Sequence, residues 1–258
     1  LETANKYLLD QANRAAKAGL KWMPENQLTK DQAQYQEVFS LTALLDYQTC
    51  PALYRYKYIW GLPEKISQSI EKGQKVHEWL EKLTRARYMW PEMELDLEKL
   101  KMDETIKSYL ANYLGSPLFD LGGIENIWLE QLIYIKVGEF AVTAKLDRLD
   151  QLPGGKYRII DYKAAEYKPK KIAENYQRQL AAYALACSDI GETDIGNIEG
   201  WLFFLENNYR HRIAFTSTDG SNIRNLLLKT ITSINSGNFS VNKSGLCRYC
   251  QYKRFCQP

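Results

Sequence analysis

The sequence contains no apolar run that approaches the roughly 18 residues a membrane helix requires. We therefore expect that this chain is not an integral membrane protein. It also lacks a Gly-x-x-x-x-Gly-Lys-Ser/Thr segment, which excludes a P-loop ATPase motor within these residues. Internal repeats and low-complexity segments are absent too, which excludes solenoid and fibrous architectures. The net charge is only +3, so composition alone does not indicate a nucleic-acid partner, although a basic groove would be hidden in that sum.

Cysteines are few, odd in number and unevenly spread. Of the five, three lie close together near the end of the chain, at Cys247, Cys250 and Cys256. A secreted disulfide framework would come in pairs and be spread more evenly, so the pattern predicts a metal site in a reducing, cytoplasmic compartment. The chain begins at Leu1 rather than Met, and we expect it to be a trimmed, renumbered or partial product. Removal of a targeting segment is one of the alternatives.

What is present is typical of a globular protein, with 45% hydrophobic and 25% charged residues. We divide the chain into an N-terminal helical segment, 1–39, and a single domain, 40–258. Apolar periodicity predicts a helix after Ser40, one from about Glu71, and others over roughly 98–114, 172–188 and 221–235. Strands are predicted over 127–135, 139–149, 156–163, 201–205 and 211–215. The fold class is therefore α/β (α+β), with a central mixed sheet and strand meander flanked by helices.

The most informative stretch is the hairpin around Gly154. If its strands pair symmetrically about that residue, Asp147 lies across from Asp161, and Lys145 across from Lys163. Directly opposed side chains have Cβ atoms about 4.5–5.5 Å apart, where two carboxylates repel each other. Such a pair is either solvated on an exposed face or holds a hard divalent ion such as Mg²⁺ or Mn²⁺ between its oxygens.

Two further residues are candidates for the same site. Gly73 and His77 are four residues apart and share a helical face, beside an apolar stripe that contains Val76 and Leu80. A histidine in such a place is either a structural residue or a metal ligand. Glu130 lies on the strand that enters the meander, where a glutamate is either solvated or supports a metal site.

Downstream of the hairpin, Gln179 and Tyr183 are also four residues apart on one helix and project side by side. Between this helix and the preceding strand lie three lysines, which either touch phosphates or form a solvated charge run: Lys168, Lys170 and Lys171.

The hairpin resembles the Asp…Asp-x-Lys core of the PD-(D/E)XK nuclease superfamily. The resemblance implies a restriction-endonuclease-like core in which Asp147 and Asp161 bind Mg²⁺ or Mn²⁺ and Lys163 orients the attacking water. Lys145 stands where many relatives carry glycine.

The flanking motifs are similar to those of RecB-type nucleases, and they occur in that family's order. This likeness implies that His77 is a further metal ligand, that Gln179 and Tyr183 help to position DNA and the active site, and that Glu130 supports the metal directly or through water.

Cys50-Pro51 and the terminal Cys-x2-Cys-x5-Cys resemble the cluster-bearing RecB-like branch, which includes AddB and CRISPR-associated nucleases. That resemblance implies a 4Fe–4S cluster on Cys50, Cys247, Cys250 and Cys256, with zinc as the chemical alternative. Cys187 has no partner in the pattern and is predicted to be a small buried residue. Basic and aromatic residues near the terminal cysteines either grip single-stranded DNA or shield the cluster: Arg248, Tyr249, Tyr252, Lys253, Arg254 and Phe255.

The resemblance as a whole implies a metal-dependent DNA nuclease, an exonuclease on single-stranded or end-containing DNA. Its expected setting is DNA repair, recombination or CRISPR-type processing at the nucleoid, with a helicase or a CRISPR-adaptation partner. Two other classes of function are a non-catalytic DNA-binding or helicase-associated scaffold stabilised by a metal cluster, and a redox sensor with thiol ligands.

Overall fold

The computed structural model describes residues 36–64, 68–92, 94–168 and 174–256. The strands are β1 (Val38–Ser40), β2 (Asn126–Val137), β3 (Phe140–Leu152), β4 (Lys156–Lys163), β5 (Ile198–Phe204) and β6 (Tyr209–Ala214). The α-helices are α1 (Leu41–Thr49), α2 (Pro51–Tyr54), α3 (Gln68–Met89), α4 (Glu104–Leu114), α5 (Glu174–Gly191) and α6 (Ser217–Asn235). A π-helical turn follows α2 at Arg55–Ile59, and single 3₁₀ turns lie at Leu97–Lys99, Pro117–Phe119, Ile195–Asn197 and Gly245–Tyr249. Among these residues, no helix combines the length and the apolar character needed to cross a membrane.

The strands form one six-stranded mixed sheet, which confirms the predicted fold class, although β1 is not among the five predicted strands. β2, β3 and β4 make an antiparallel meander, and helix α5 then crosses over to place β5 parallel to β4. β6 pairs antiparallel with β5 and closes the sheet on that side. β3 pairs with β2 along its length, with β1 near its start and with β4 near its end.

Helices cover both faces of the central strands. Ile159 of β4 packs into a cluster that includes residues of α1, α5 and α6, whereas the next residue, Ile160, packs into a cluster built mainly from α3 and α4. Leu202 and Phe203 of β5 divide between the same two clusters. This alternation follows from the two-residue period of a strand, and it makes β4 and β5 the middle layer of three.

Local capping sets where several helices begin. The Ser40 hydroxyl accepts a hydrogen bond from Ala43 N at 3.1 Å, and Pro51 occupies the first position of α2. Asp103 caps α4, so this helix begins at Glu104 rather than near residue 98 as the periodicity predicts. Gly115 ends α4, which confirms the predicted boundary.

The N-terminal prediction is partly wrong. Val38 and Phe39, the last residues of the predicted helical segment 1–39, form strand β1 together with Ser40, and the strand pairs in parallel with Ala141, Val142 and Thr143. A strand of three residues is too short to produce a visible alternation, and its partner lies about a hundred residues away. Residues 1–35 lie outside the described residues.

The two ends of the described chain meet in a third cluster, here called the terminal cluster, with Ala52, Tyr56 and Tyr252 fully buried at its centre. The Tyr56 hydroxyl donates to the backbone oxygen of Phe255 at 3.1 Å, and the Tyr252 hydroxyl donates to that of Leu62 at 3.2 Å. The C-terminal residues are therefore attached to the segment that follows α1.

Candidate active site

The site lies where the sheet opens beside β3. β3 pairs with β1 only at residues 141–143 and with β4 only at 148–152, so residues 144–147 have no strand partner on that side among the described residues. Two side chains fill part of the gap. The Tyr183 hydroxyl donates to Lys145 O at 3.0 Å, and the Asp147 carboxylate accepts from Tyr162 N at 2.8 Å.

The predicted hairpin register is confirmed from Arg148, opposite Ile160, to Leu152, opposite Lys156. The ladder stops there, so the predicted pairs Asp147–Asp161 and Lys145–Lys163 are not formed. The reason is that the end of β4 pairs with β5 instead, with Asp161 beside Leu202 and Lys163 beside Phe204. The two aspartates nevertheless remain close enough to influence each other electrostatically.

Three potential metal ligands converge at the opening. His77 Nδ1 from α3 lies 3.2 Å from Asp147 Oδ1 and 3.9 Å from Glu130 Oε1. One ligand atom from each of these residues lies within 4.8 Å of the other two. Imidazole nitrogen and carboxylate oxygen in this combination suit a divalent ion such as Mn²⁺ or Mg²⁺.

Glu130 reaches this group through an unusual backbone conformation. Its φ of 52° lies in the left-handed region, although β2 keeps the same register before and after it, with Leu129 opposite Arg148 and Gln131 opposite Leu146. A non-glycine residue in this region costs on the order of 1–3 kcal/mol and persists only when its surroundings hold it there. The strain is therefore located at the candidate site.

Asp161 supplies the most deeply buried carboxylate of the site, with 2% of its surface exposed. Its Oδ2 lies 2.6 Å from Lys163 Nζ but accepts no well-aligned hydrogen bond from the described residues. Burial raises the pKa of Asp161 to about 6, with Asp147 adding to the rise and Lys163 opposing it. A buried oxygen without a hydrogen bond is a place where a cation compensates the lost hydration.

Lys163 is held by a chain of side-chain contacts from α5. Its Nζ donates to Gln179 Oε1 at 3.3 Å, and Gln179 Nε2 donates to the Tyr183 hydroxyl at 2.7 Å. The ammonium also lies 4.4 Å from the centre of the Tyr176 ring. Burial alone would lower the pKa of Lys163, but the adjacent Asp161 raises it by more, so this lysine is a cation.

The pKa of His77 is raised as well. Burial would lower its pKa, but the contact with Asp147 and the negative charges of Asp161 and Glu130 outweigh burial and raise it. Because acidic groups surround it, the site attracts positive charge, whether a proton or a metal ion. The residues present therefore fit a divalent cation. A cavity of about 420 Å³ lined by His77, Asp147, Asp161, Lys163, Gln179 and Tyr183 opens onto this position.

Sequence reasoning missed a buried network behind the site. Arg148, next to Asp147, turns to the opposite side of β3, where its guanidinium forms two hydrogen bonds to Asp150 at 2.6 and 2.9 Å. It also donates to the Tyr113 hydroxyl and to Leu118 O, and Arg158 donates to Asp150 at 2.9 Å. The predicted register already placed Asp150 across from Arg158, so a signal for the network was present. The network fixes β3 next to the strand opening.

Of the three lysines predicted to contact phosphates, only Lys168 is among the described residues. Lys168 is exposed, and its nearest acidic partner is Glu166, 3.7 Å away. Lys170 and Lys171 lie outside the described residues.

The four cysteines of the predicted cluster, Cys50, Cys247, Cys250 and Cys256, line one cavity of about 920 Å³ beside the terminal cluster. Among the described residues, no three of these thiols lie within 4.8 Å of one another. Cys187 lies apart on α5 and is buried, as predicted, and burial raises its pKa to about 12.

The aromatic residues beside the cysteines differ in exposure. Tyr252 is 1% exposed and packs inside the terminal cluster, whereas Tyr249 is 80% exposed. Tyr252 therefore contributes to the protein interior, and only Tyr249 and the half-exposed Phe255 offer faces to a ligand.

Comparison with known proteins identifies the family and a similar fold. Residues 38–257 match the family described as the PD-(D/E)XK nuclease superfamily. The structure of a proposed exonuclease from Eubacterium rectale is similar, with a TM-score of 0.55 at 14% identity, over 93% of this chain and 96% of that chain. Protein SSO0001 gives a TM-score of 0.47 at 16% identity, over 98% of this chain and 96% of that one. No curated protein matches the sequence.

Proposed function

Because the chain belongs to the PD-(D/E)XK nuclease superfamily, we propose that it is a metal-dependent deoxyribonuclease that hydrolyses phosphodiester bonds of DNA. The observation that carries the proposal is the convergence of His77, Glu130 and Asp147 beside the Asp161–Lys163 pair. A bare charged hairpin would not bring a histidine from α3 and a strained glutamate from β2 to the same place.

We assign the acidic residues and His77 to holding Mg²⁺ or Mn²⁺. Such an ion supplies a water of lowered pKa and neutralises charge on the phosphate. Lys163 orients the attacking water by hydrogen bonding and stabilises the negative charge that develops on the phosphate oxygens. Gln179 and Tyr183 hold Lys163 against Asp161, and Tyr183 also fixes β3 through Lys145 O.

The finer proposal is an exonuclease that acts on single-stranded or end-containing DNA, in repair, recombination or CRISPR-type processing inside the cell. A cavity of about 420 Å³ beside the ligand group has room for part of a flexible strand. A helicase or a CRISPR-adaptation protein is the partner proposed to deliver such a strand.

A cleavage assay tests the proposal. A single strand and its duplex, each labelled at the 5′ or the 3′ end, are incubated with the protein in Mn²⁺ or Mg²⁺. We expect cleavage of the single strand and a loss of roughly 100-fold or more in rate for Asp161→Asn and Lys163→Met, since each removes charge from the reacting centre. The position of the label reads the direction of cleavage.

The matched control is Lys82→Met, which removes an exposed ammonium paired with Glu78 on α3, away from the site. DNA binding is measured in Ca²⁺ in parallel, so that lost cleavage is separated from lost binding. A wild-type protein that cleaves neither substrate in either metal, or an Asp161→Asn protein as active as Lys82→Met, would contradict the nuclease function.

We also propose that Cys50, Cys247, Cys250 and Cys256 hold a 4Fe–4S cluster. Their common cavity and their position between the two chain ends support this assignment. The same four thiolates also suit a tetrahedral zinc ion with bonds of about 2.3 Å, and the iron and zinc contents of the purified protein distinguish the two cofactors.

A further inference from the structure

Lys145 is a second cation at the edge of the proposed active site. It lies two residues before Asp147 on β3, so both side chains project from the same face of the strand. Its side chain is 61% exposed and lines the cavity that contains Asp147, Asp161 and Lys163. The strand pairing places Leu132 opposite it, so its acidic contact comes instead from Glu130.

Glu130 divides its two oxygens between Lys145 and the metal-ligand group. Oε2 lies 2.5 Å from Lys145 Nζ, whereas Oε1 faces His77 Nδ1 at 3.9 Å. A carboxylate that bridges two metal ions uses one oxygen for each. Because Lys145 already occupies one of them, Glu130 has a single oxygen to offer, and that oxygen points to the His77–Asp147 position.

The charge of the site leads to the same conclusion. His77 is neutral when it binds a metal ion, so in the metal-bound site Glu130, Asp147 and Asp161 bring three negative charges, and Lys145 and Lys163 bring two positive ones. The balance of the side chains is one negative charge, which one divalent ion converts to one positive charge. One ion therefore already neutralises the single negative charge of a bound phosphodiester.

We propose that Lys145 stands in for a second divalent ion, so that the site takes one ion and the Lys145 ammonium contacts a phosphate of the bound DNA. This inference rests on the proposed nuclease function, which supplies the phosphate. An ammonium on a flexible stem is suited to the task, since it acts as a point charge and keeps Glu130 as its partner when no DNA is bound.

Counting ions tests the first half of the proposal without any cleavage. Calorimetric titration with Mn²⁺ is performed on the wild type, Lys145→Met, Lys145→Arg and Lys82→Met, and binding that persists in Asp147→Asn is subtracted as belonging elsewhere. We expect one ion at the site in the wild type, in Lys145→Arg and in Lys82→Met. Lys145→Met frees Glu130 Oε2 and removes one positive charge, so it should take a second ion. Two ions in the wild type, or only one in Lys145→Met, would overturn the proposal.

Binding of a short single-stranded oligonucleotide in Ca²⁺, followed by fluorescence anisotropy, tests the second half. Loss of a charge-assisted phosphate contact should weaken binding roughly tenfold in Lys145→Met, whereas Lys145→Arg should stay within about twofold of wild type. Lys82→Met serves as the control and should leave affinity unchanged. A Lys145→Met protein that binds as tightly as this control overturns the phosphate contact.

Failure of the nuclease function gives a different result. A protein without the activity shows no cleavage by the wild type in Mg²⁺ or Mn²⁺, while the ion counts still decide whether Lys145 excludes a second ion. A wild type that cleaves DNA and binds two ions refutes the Lys145 inference alone.

Discussion

At the scale of the single residue, burial raises the pKa of Asp161 above that of an exposed aspartate. Its carboxyl group is almost fully buried, and its pKa rises to about 6. His77, on the other side of Asp147, also holds its proton more strongly than usual. Both groups must be unprotonated to bind a cation, so protons and metal compete for the site near neutral pH.

The affinity for Mn²⁺ should therefore rise with pH. Both pKa values are raised, so at about pH 5 these groups retain their protons, and as pH increases through about 6 the carboxylate becomes free. Titration of Asp161 alone predicts a gain of about tenfold between roughly pH 5 and pH 7.5, measured by calorimetry or Mn²⁺ electron paramagnetic resonance. Asp161→Asn should show a shallower dependence, and a flat wild-type profile would contradict the assignment of these groups as ligands.

At the scale of the element, α3 has a residue without a side chain beside the cavity of the proposed active site. Gly73 lines this cavity one helical turn before His77. A Cβ atom added at Gly73 would meet no atom within 4 Å, so packing does not require the glycine. The missing side chain leaves room beside the ligands, which is consistent with access for a substrate strand.

Two substitutions at Gly73 should have different effects, one on stability and the other on DNA cleavage. Gly73→Ala should stabilise the protein by about 0.5–1 kcal/mol, because glycine is unfavourable inside a helix, and it should leave DNA cleavage intact. Gly73→Phe should preserve folding and Mn²⁺ binding but reduce cleavage about tenfold or more by filling the cavity. Thermal unfolding and the cleavage assay measure both effects.

The matched control is Lys75→Phe, at an exposed position of α3. Lys75 lines neither of the two cavities beside His77 and Asp147. If Gly73→Phe and Lys75→Phe cleave DNA equally well, the substrate does not pass over this helix.

The elements also show how far sequence reasoning reaches. Periodicity predicts the meander and the helices that flank it, because each buries one face over many residues. The assumed hairpin register also brings Asp147, Asp161 and Lys163 near one another, as they are, although the predicted pairs Asp147–Asp161 and Lys145–Lys163 are not formed. The left-handed turn at Glu130 and the end of the ladder at Arg148 are set by contacts between distant strands, so no local pattern reveals them.

At the scale of the whole molecule, the two ends of the described chain depend on each other. Ala52 N donates to Ser240 O at 3.2 Å, and Asn242 Nδ2 donates to Thr49 O at 3.1 Å. The terminal cluster adds only three fully buried residues to these bonds. Because this apolar interface is small, the proposed cofactor on the four cysteines would supply much of the stabilisation between the two ends.

Loss of one proposed cluster ligand should therefore lower the free energy of unfolding of the whole molecule. Cys250→Ser should lose bound iron and sulfide together with the visible absorption of the cluster, and it should lose roughly 2–5 kcal/mol of stability, the range for removing a cross-link that closes a long loop. Cys187→Ala removes a buried thiol of α5 that lies outside the cavity, and it should keep the iron. Zinc without iron in the wild type, or equal unfolding temperatures for the two variants, would contradict the cluster.

The gap in β3 at residues 144–147 has a consequence for how a substrate enters. The Tyr183 hydroxyl and the Asp147 carboxylate form hydrogen bonds with backbone groups of β3 and β4 that would otherwise pair with a neighbouring strand. Extending the pairing of β3 with β4 would therefore add no net hydrogen bond at these groups. The opening is therefore present without DNA. For the proposed DNA substrate we expect binding that leaves the backbone of β3 and β4 in place, since no closed sheet has to separate first.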